Sequence, residues 1–293
     1  MSVPRSEAKN LTPGMGPALL RRIRHDPMGA IGLALVLLVV FCGVFAPWIT
    51  PFDPLKINVP NKFQPPSLVH WMGTDNLGRD VFSRIIAGSR IALTVGVTTI
   101  ATALGIGLVL GLIAGYGPRW LDNSLMLIFD SIYSFPTVVL GLTVITLLGA
   151  SISTLTLVVV VIQTPAYARL TRTATLTLKN SEYVQAIESL GASKIRIIFV
   201  HLLPNVIGPL LIVASMDIPS VVALEAGLTY LGMGIPPPAP SWGRILQEGF
   251  GLIRTAPWIV IAGGIPLIIT TLGFTFLGES LRDNLDPKLR RVI

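Results

Sequence analysis

Three acidic residues, Asp130, Asp217 and Glu225, stand inside long apolar runs, and their placement demands a chemical reason. A carboxylate at the centre of a bilayer costs roughly 2.5–3.5 kcal/mol on insertion scales, so each must face protein or water. In that setting it can line or gate the path of a polar solute, meet a partner across a subunit interface, or couple to a proton or cation. Close to the end of a span it can also serve as a plain hydrogen-bond acceptor. Asp130 lies only a few residues from an expected span boundary, Asp217 stands two residues before Pro219, and Glu225 opens the unusual stretch LEAGLTYLGMGIPPPAPSWG at 224–243. Catalytic chemistry is not written into the chain. The dipeptide Gly-Lys never occurs, so there is no phosphate-binding loop. His25, His70 and His201 are far apart, no His-Glu-x-x-His exists, and no serine has a Gly-x-Ser-x-Gly context. The single cysteine, Cys42, rules out an internal disulfide and a cysteine-based zinc site. We expect no enzyme activity, no catalytic residues, no metal and no cofactor bound by this chain.

The elements that hold those carboxylates are membrane spans. Of the 293 residues, 52% are hydrophobic and 13% charged, with a mean hydropathy of +0.72. Soluble domains carry roughly 25% charged residues, so most of this surface must face lipid or apolar protein. The net charge of +7 resides in clusters at the ends of apolar runs, without the aromatic–basic interleaving that stacks bases. Nucleic acid is therefore not an expected partner. Six runs are long enough to cross, at 29–50, 91–117, 124–149, 152–168, 206–232 and 257–278. A 22-residue helix rises about 33 Å, close to the roughly 30 Å hydrocarbon core. The first run is too long for a signal h-region and reads as an uncleaved anchor. With the N-terminus inside, 15 of the 22 lysines and arginines fall on the cytoplasmic side, which predicts N-in and C-in.

Between the spans, the loop at 51–90 is proline-rich at its start and ends in GTDNLGRDVFSRIIAGSR, where Val81, Phe82, Ile85 and Ile86 predict a short amphipathic turn. Residues 1–20 have the composition of a disordered tail. Pro136, Pro165, Pro209, Pro219 and Pro266 predict kinks in or beside spans. PPPAPSWG at 236–243 predicts a stiff outside loop, a docking site for a soluble partner or a spacer. The segment 182–205, EYVQAIESLGASKIRIIFVHLLPN, is the most informative. Asn180 or Ser181 caps a helix with Glu182 in its first turn, and Tyr183, Val184, Ile187 and Leu190 form its apolar stripe. Gly191 ends it in a left-handed conformation that a side chain would strain by roughly 1 kcal/mol or more. Ser193 caps a second short helix, and Pro204 marks the entry to the fifth span. Two uses of such a loop are open: an interfacial helix on the headgroups, or a plug for a groove on a partner.

These residues carry a resemblance. Ala186, Gly191 and, after nine residues, His201-Leu202-Leu203-Pro204 resemble the cytoplasmic signature loop of bacterial ABC import permeases, with departures at Gln185, Ile187 and His201. GTDNLGRDVFSR at 73–84, the stretch 224–243 and DNLDPKLR at 283–290 look like the dipeptide/oligopeptide/nickel branch, C-type subunit. The resemblance implies an all-α type I importer permease fold of six spans, in a multi-pass protein of the bacterial inner (plasma) membrane. It implies a tail at 1–27, a first span and extracytoplasmic loop at 28–88, a type-1 transmembrane domain at 89–281 and a tail at 282–293. It further implies that Tyr183, Ala186, Ser189, Leu190, Gly191, Ala192 and Ser193 form a coupling element. The implied partners are a paralogous B-type permease, two cytoplasmic ABC ATPase subunits that bind the ATP, and an extracytoplasmic solute-binding protein, with a di- or oligopeptide as cargo. The rival reading is a stand-alone secondary carrier or channel that uses Asp130, Asp217 and Glu225 to couple protons or cations.

Overall fold

The computed structural model describes residues 26–285. The tail read as disordered, the five N-terminal cations, and the C-terminal Lys288, Arg290 and Arg291 lie outside the described residues. Regular structure among the described residues is helical, apart from one isolated bridge between Thr74 and Asp80. The helices are α1 (Pro27–Ile49), α2 (Val81–Tyr116), α3 (Arg119–Tyr133), α4 (Thr137–Leu148), α5 (Ile152–Lys179), α6 (Glu182–Ser189), α7 (Leu203–Tyr230), α8 (Trp242–Phe250) and α9 (Pro257–Leu285). Side-chain caps set several starts: Asp26 accepts from Met28 N and Gly29 N ahead of α1, Asp80 from Ser83 N ahead of α2, and Ser151 from Thr154 N ahead of α5.

Five helices are long and apolar enough to cross a membrane, and six spans result when the bent pair α3–α4 is counted as one. Hydropathy located the apolar part of each span and missed where the helices end. The second span starts at Val81, so the predicted amphipathic turn is the first part of α2 itself. The fourth continues to Lys179 because Arg169, Arg172 and the intervening threonines are good enough helix formers to carry α5 beyond the apolar run. The third, read as one run at 124–149, is two helices bent by 89°. Pro136 is the reason: it has no N–H to donate and disfavours helical backbone in the residue before it, so the chain turns at 134–136.

Close packing of α2 on α5 organises the bundle. Gly107, Gly111 and Gly115 recur every four residues and put a flat stripe of backbone against Tyr167, Ala168, Thr171 and Thr175. A Cβ on Gly111 would lie 2.4 Å from the Ala168 carbonyl oxygen and 2.4 Å from Thr171 Cβ. Lipid tails are as apolar as leucine, so helices in a membrane gain little from hiding apolar surface and much from such close contact. Val95, Ala103, Leu155, Val159 and Tyr167 continue the seam into a core closed by Val206, Leu210 and Val221 of α7. Gly111→Leu is expected to wedge α2 from α5 and cost about 1–3 kcal/mol, read as a lower melting temperature of the purified chain. Gly105→Ala, whose Cβ meets nothing within 4 Å, should leave the melting temperature unchanged.

Candidate functional site

At one end of the bundle, α6 and the residues after it form a rigid corner. Gly191 has φ +84°; its N–H donates to the Glu188 carbonyl at 2.9 Å, and the Ala192 N–H donates to the Ile187 carbonyl at 3.3 Å. This is the Schellman pair of hydrogen bonds, with Ile187 and Ala192 supplying its usual apolar contact. A Cβ at 191 would meet nothing within 4 Å, so the demand for glycine is purely one of backbone conformation. Ser181 occupies the N-cap position, but its hydroxyl donates back to the Leu178 carbonyl instead of capping. Ser193 accepts from Arg196 N at 3.3 Å, as a cap should.

The second short helix of the loop is a correction. Lys194–Arg196 and a π-helical stretch, Ile197–Leu202, run without a break into α7, giving one helix of 37 residues, Lys194–Tyr230. Pro204 explains the wide turn: it lacks an N–H and its ring crowds the carbonyl one turn back, so the ladder shifts and Leu203 N donates to the Ile198 carbonyl instead. The apolar stripe of α6 is divided in use. Val184 and Ile187 pack on Tyr116, Leu178, Ile197 and Leu202, which seats the corner on α2, α5 and α7. Tyr183, Leu190 and Ile195 point away, with Leu190 86% exposed and Ile195 71%. Ala186, Ser189, Gly191 and Ser193 are exposed beside them, and Ala192 is half-buried.

Asp130 and Asp217, 87 positions apart in sequence, meet the same short stretch of α5. Asp130 accepts from Arg169 Nη2 at 2.6 Å, and that guanidinium lies 4.8 Å over the Tyr133 ring. Asp217 accepts from the Tyr167 hydroxyl at 2.8 Å. A bidentate pair between Arg172 and Asp122 completes the stretch; the sequence reading passed over both residues, although an acid in the first turn of α3 was a visible signal. Glu225 is elsewhere, about 12 Å further along α7, and only 1% exposed. Its Oε1 accepts from Thr229 Oγ1 at 2.9 Å, and Thr229 Oγ1 accepts from Ile235 N at 3.1 Å, which folds the chain back after α7.

At the opposite end, a network the sequence did not disclose ties the first long loop to α8. Asp75 accepts from Arg79 Nε at 2.7 Å and from Arg84 Nη1 at 2.5 Å, and Arg84 also donates to Glu248 of α8 at 2.7 Å. Arg79 Nη2 reaches the same glutamate at 3.2 Å. Trp242, buried among Val39, Ala92 and Val222 of α1, α2 and α7, donates to the Ile85 carbonyl at 3.0 Å, so the proline-rich segment before it is anchored at both ends. The close spacing of Asp75, Arg79, Asp80 and Arg84 announces local pairing, but nothing local points to Glu248. Asp75→Ala leaves two buried guanidiniums with one shared carboxylate; it is expected to cost about 3–5 kcal/mol, read as loss of the monodisperse purified protein or a collapse of its melting temperature. Gly191→Ala should cost about 1 kcal/mol locally, read as faster proteolysis at the corner with the spans intact.

Comparison with known proteins identifies the family. Residues 107–291 match the family described as binding-protein-dependent transport system inner membrane component. Residues 18–66 match the N-terminal TM domain of oligopeptide transport permease C. The dipeptide transport system permease protein of Alkalihalophilus pseudofirmus is 35% identical over 270 residues, covering 92% of this chain and 89% of that protein. The di/tripeptide transport system permease protein of Pseudomonas aeruginosa is 34% identical over 295 residues, covering 99% and 97%. A glutathione transport system permease protein of Escherichia coli is 36% identical over 271 residues, covering 92% and 89%. Among solved structures, the inward-facing MetNI methionine ABC transporter aligns with a TM-score of 0.58 and 19% identity, over 69% of this chain and 97% of that one, which shows the shared fold. A multi-pass helical bundle with a glycine corner is thus accounted for: the chain belongs to the binding-protein-dependent transport system inner membrane component family, the permease subunits of ABC importers.

Proposed function

We propose that this permease carries di- or oligopeptides across the bacterial inner membrane, N-in and C-in, as one half of a heteromeric pathway completed by a paralogous B-type permease. Two cytoplasmic ABC ATPases bind and hydrolyse the ATP, so this chain needs no cofactor of its own, and an extracytoplasmic solute-binding protein delivers the cargo. The transmembrane type-1 domain occupies 89–281 in this reading. Support for the cargo comes from the peptide permeases that resemble it over nearly their whole length.

The observation that carries the coupling role is the divided stripe of α6. A helix that merely rested on headgroups would turn Leu190 and Tyr183 down with Val184. Here the inward pair grips the bundle, and Tyr183, Leu190 and Ile195 form an outward apolar tip on a hydrogen-bonded corner. Such a tip fits a groove on a partner, as amphipathic helices often do. Tyr183, Ala186, Ser189, Leu190, Gly191, Ala192 and Ser193 form the contact, and the continuous helix from Lys194 carries its displacement into α7. Asp130 and Asp217 face the pathway and Glu225 holds its gate by fixing the turn after α7. The stand-alone carrier has no observation in its favour, since Arg169 already neutralises Asp130.

Co-purification tests this directly. With the neighbouring transport genes co-expressed and the ATPase tagged, wild type should be retained. Leu190→Asp, which places a charge in an apolar groove, should reduce retention more than tenfold, about 1.5–3 kcal/mol. Gly191→Pro, incompatible with φ +84°, should do the same while both variants still insert. Equal retention of the variants would remove the coupling role from this corner.

A further inference from the structure

A cleft of about 500 Å³ opens at the outer end of α1, lined by Ala46, Pro47, Thr50, the turn Pro51–Pro54, Ala87 and Arg90. Its backbone offers almost no donors. Pro47, Pro51 and Pro54 have no N–H, Thr50 N is spent on the Ala46 carbonyl at 3.2 Å, and Phe52 N on Ser83 Oγ at 3.1 Å. Two opposite charges remain. Arg90, on α2, is exposed, and its guanidinium takes part in no hydrogen bond or ion pair among the described residues. The Asp53 carboxylate accepts one hydrogen bond, from Leu55 N at 2.9 Å, and does not reach Arg90. The cleft opens between α1 and α2 at the level of Trp48, which is 75% exposed on the other face of α1, at the depth where an aromatic belt marks the edge of the hydrocarbon.

We infer that this cleft seats the headgroup of a zwitterionic phospholipid, its phosphate on the Arg90 guanidinium, its amine on the Asp53 carboxylate and its chains along α1. A guanidinium fork suits a phosphate, the separated carboxylate supplies the opposite pole, and the apolar walls accept the glycerol and upper chain. The seat is a property of the outer leaflet surface and stands apart from the cargo and from the ATPase contact.

Native mass spectrometry of the full chain in detergent tests it with phosphatidylethanolamine, phosphatidylglycerol and diacylglycerol as probes. Wild type should retain phosphatidylethanolamine above phosphatidylglycerol and should not retain diacylglycerol. Arg90→Gln should weaken retention about tenfold, with partial rescue by Arg90→Lys. Asp53→Asn should abolish the preference for phosphatidylethanolamine while both phosphate-bearing lipids still bind. Because Asp53 lies on a turn, that arm remains decisive if the Arg90 variants fail to fold. Unchanged retention in Arg90→Gln, or an unchanged preference in Asp53→Asn, would overturn the proposal. Displacement of the lipid by inorganic phosphate would make this a free-anion site, and displacement by glycylglycine a peptide subsite; either outcome also overturns it.

Discussion

The contact between α2 and α5 is the constraint on which the rest of the bundle depends. Three glycines four residues apart bring the two backbones close enough that a single methyl group would collide with a carbonyl. The other elements of the candidate site are hung on these two helices. The far end of α2 and the far end of α5 carry the seat of the α6 corner, through Tyr116 and Leu178. The middle of α5 receives α3 through Arg169 and Arg172 and α7 through Tyr167. The near end of α2 starts at Asp80 and is locked to α8 through Arg84. In a solvent where apolar surface gains little by being hidden, such direct backbone contact is what allows one helix pair to act as a frame.

The two ends of that frame solve different problems. At the α6 end the structure places unpaired apolar side chains in view, on a corner whose backbone hydrogen bonds are complete. At the α8 end it does the reverse, hiding formal charges within a closed network and leaving little freedom between the first loop and α8. The proposed transmission of displacement requires a corner that is stiff in itself and sticky at its tip. A cap that must survive contact with water on one side and lipid on the other needs its buried charges answered by partners of opposite sign.

Much of this was legible in the residues, and the limits of legibility are physical. Periodicity and glycine chemistry placed the α6 corner correctly, because the Schellman turn and the Ser193 cap are local: their partners lie within five residues. The spans were visible as apolar runs, yet their ends were not, since a helix continues through Arg169 and Thr173 as readily as through valine once tertiary contacts hold it. The break at Pro136 was expected as a kink and proved to be a right-angled elbow, a magnitude set by what α3 and α4 pack against. Pro204 read as the start of a span and is instead the cause of a π turn within a longer helix. Asp130 and Asp217 were singled out for their cost in a membrane, but that Tyr167 and Arg169 bring them to one stretch of α5 depends on helix rotation, which no composition reveals. Glu248 could not be found at all from the chain around it.

That last residue has a consequence for how the protein is made. Arg84 and Glu248 are separated by 164 positions, and a ribosome adds roughly 5–20 residues per second. The arginine therefore emerges about 8–33 s before the carboxylate that completes its surroundings. For that interval Asp75, nine positions earlier, is its sole acidic partner in the network, and the first loop holds an excess positive charge outside the membrane while four further helices are being inserted. The network closes only when α8 arrives, so the order of synthesis makes the outermost cap rigid only after the α2–α5 frame beneath it has been laid down.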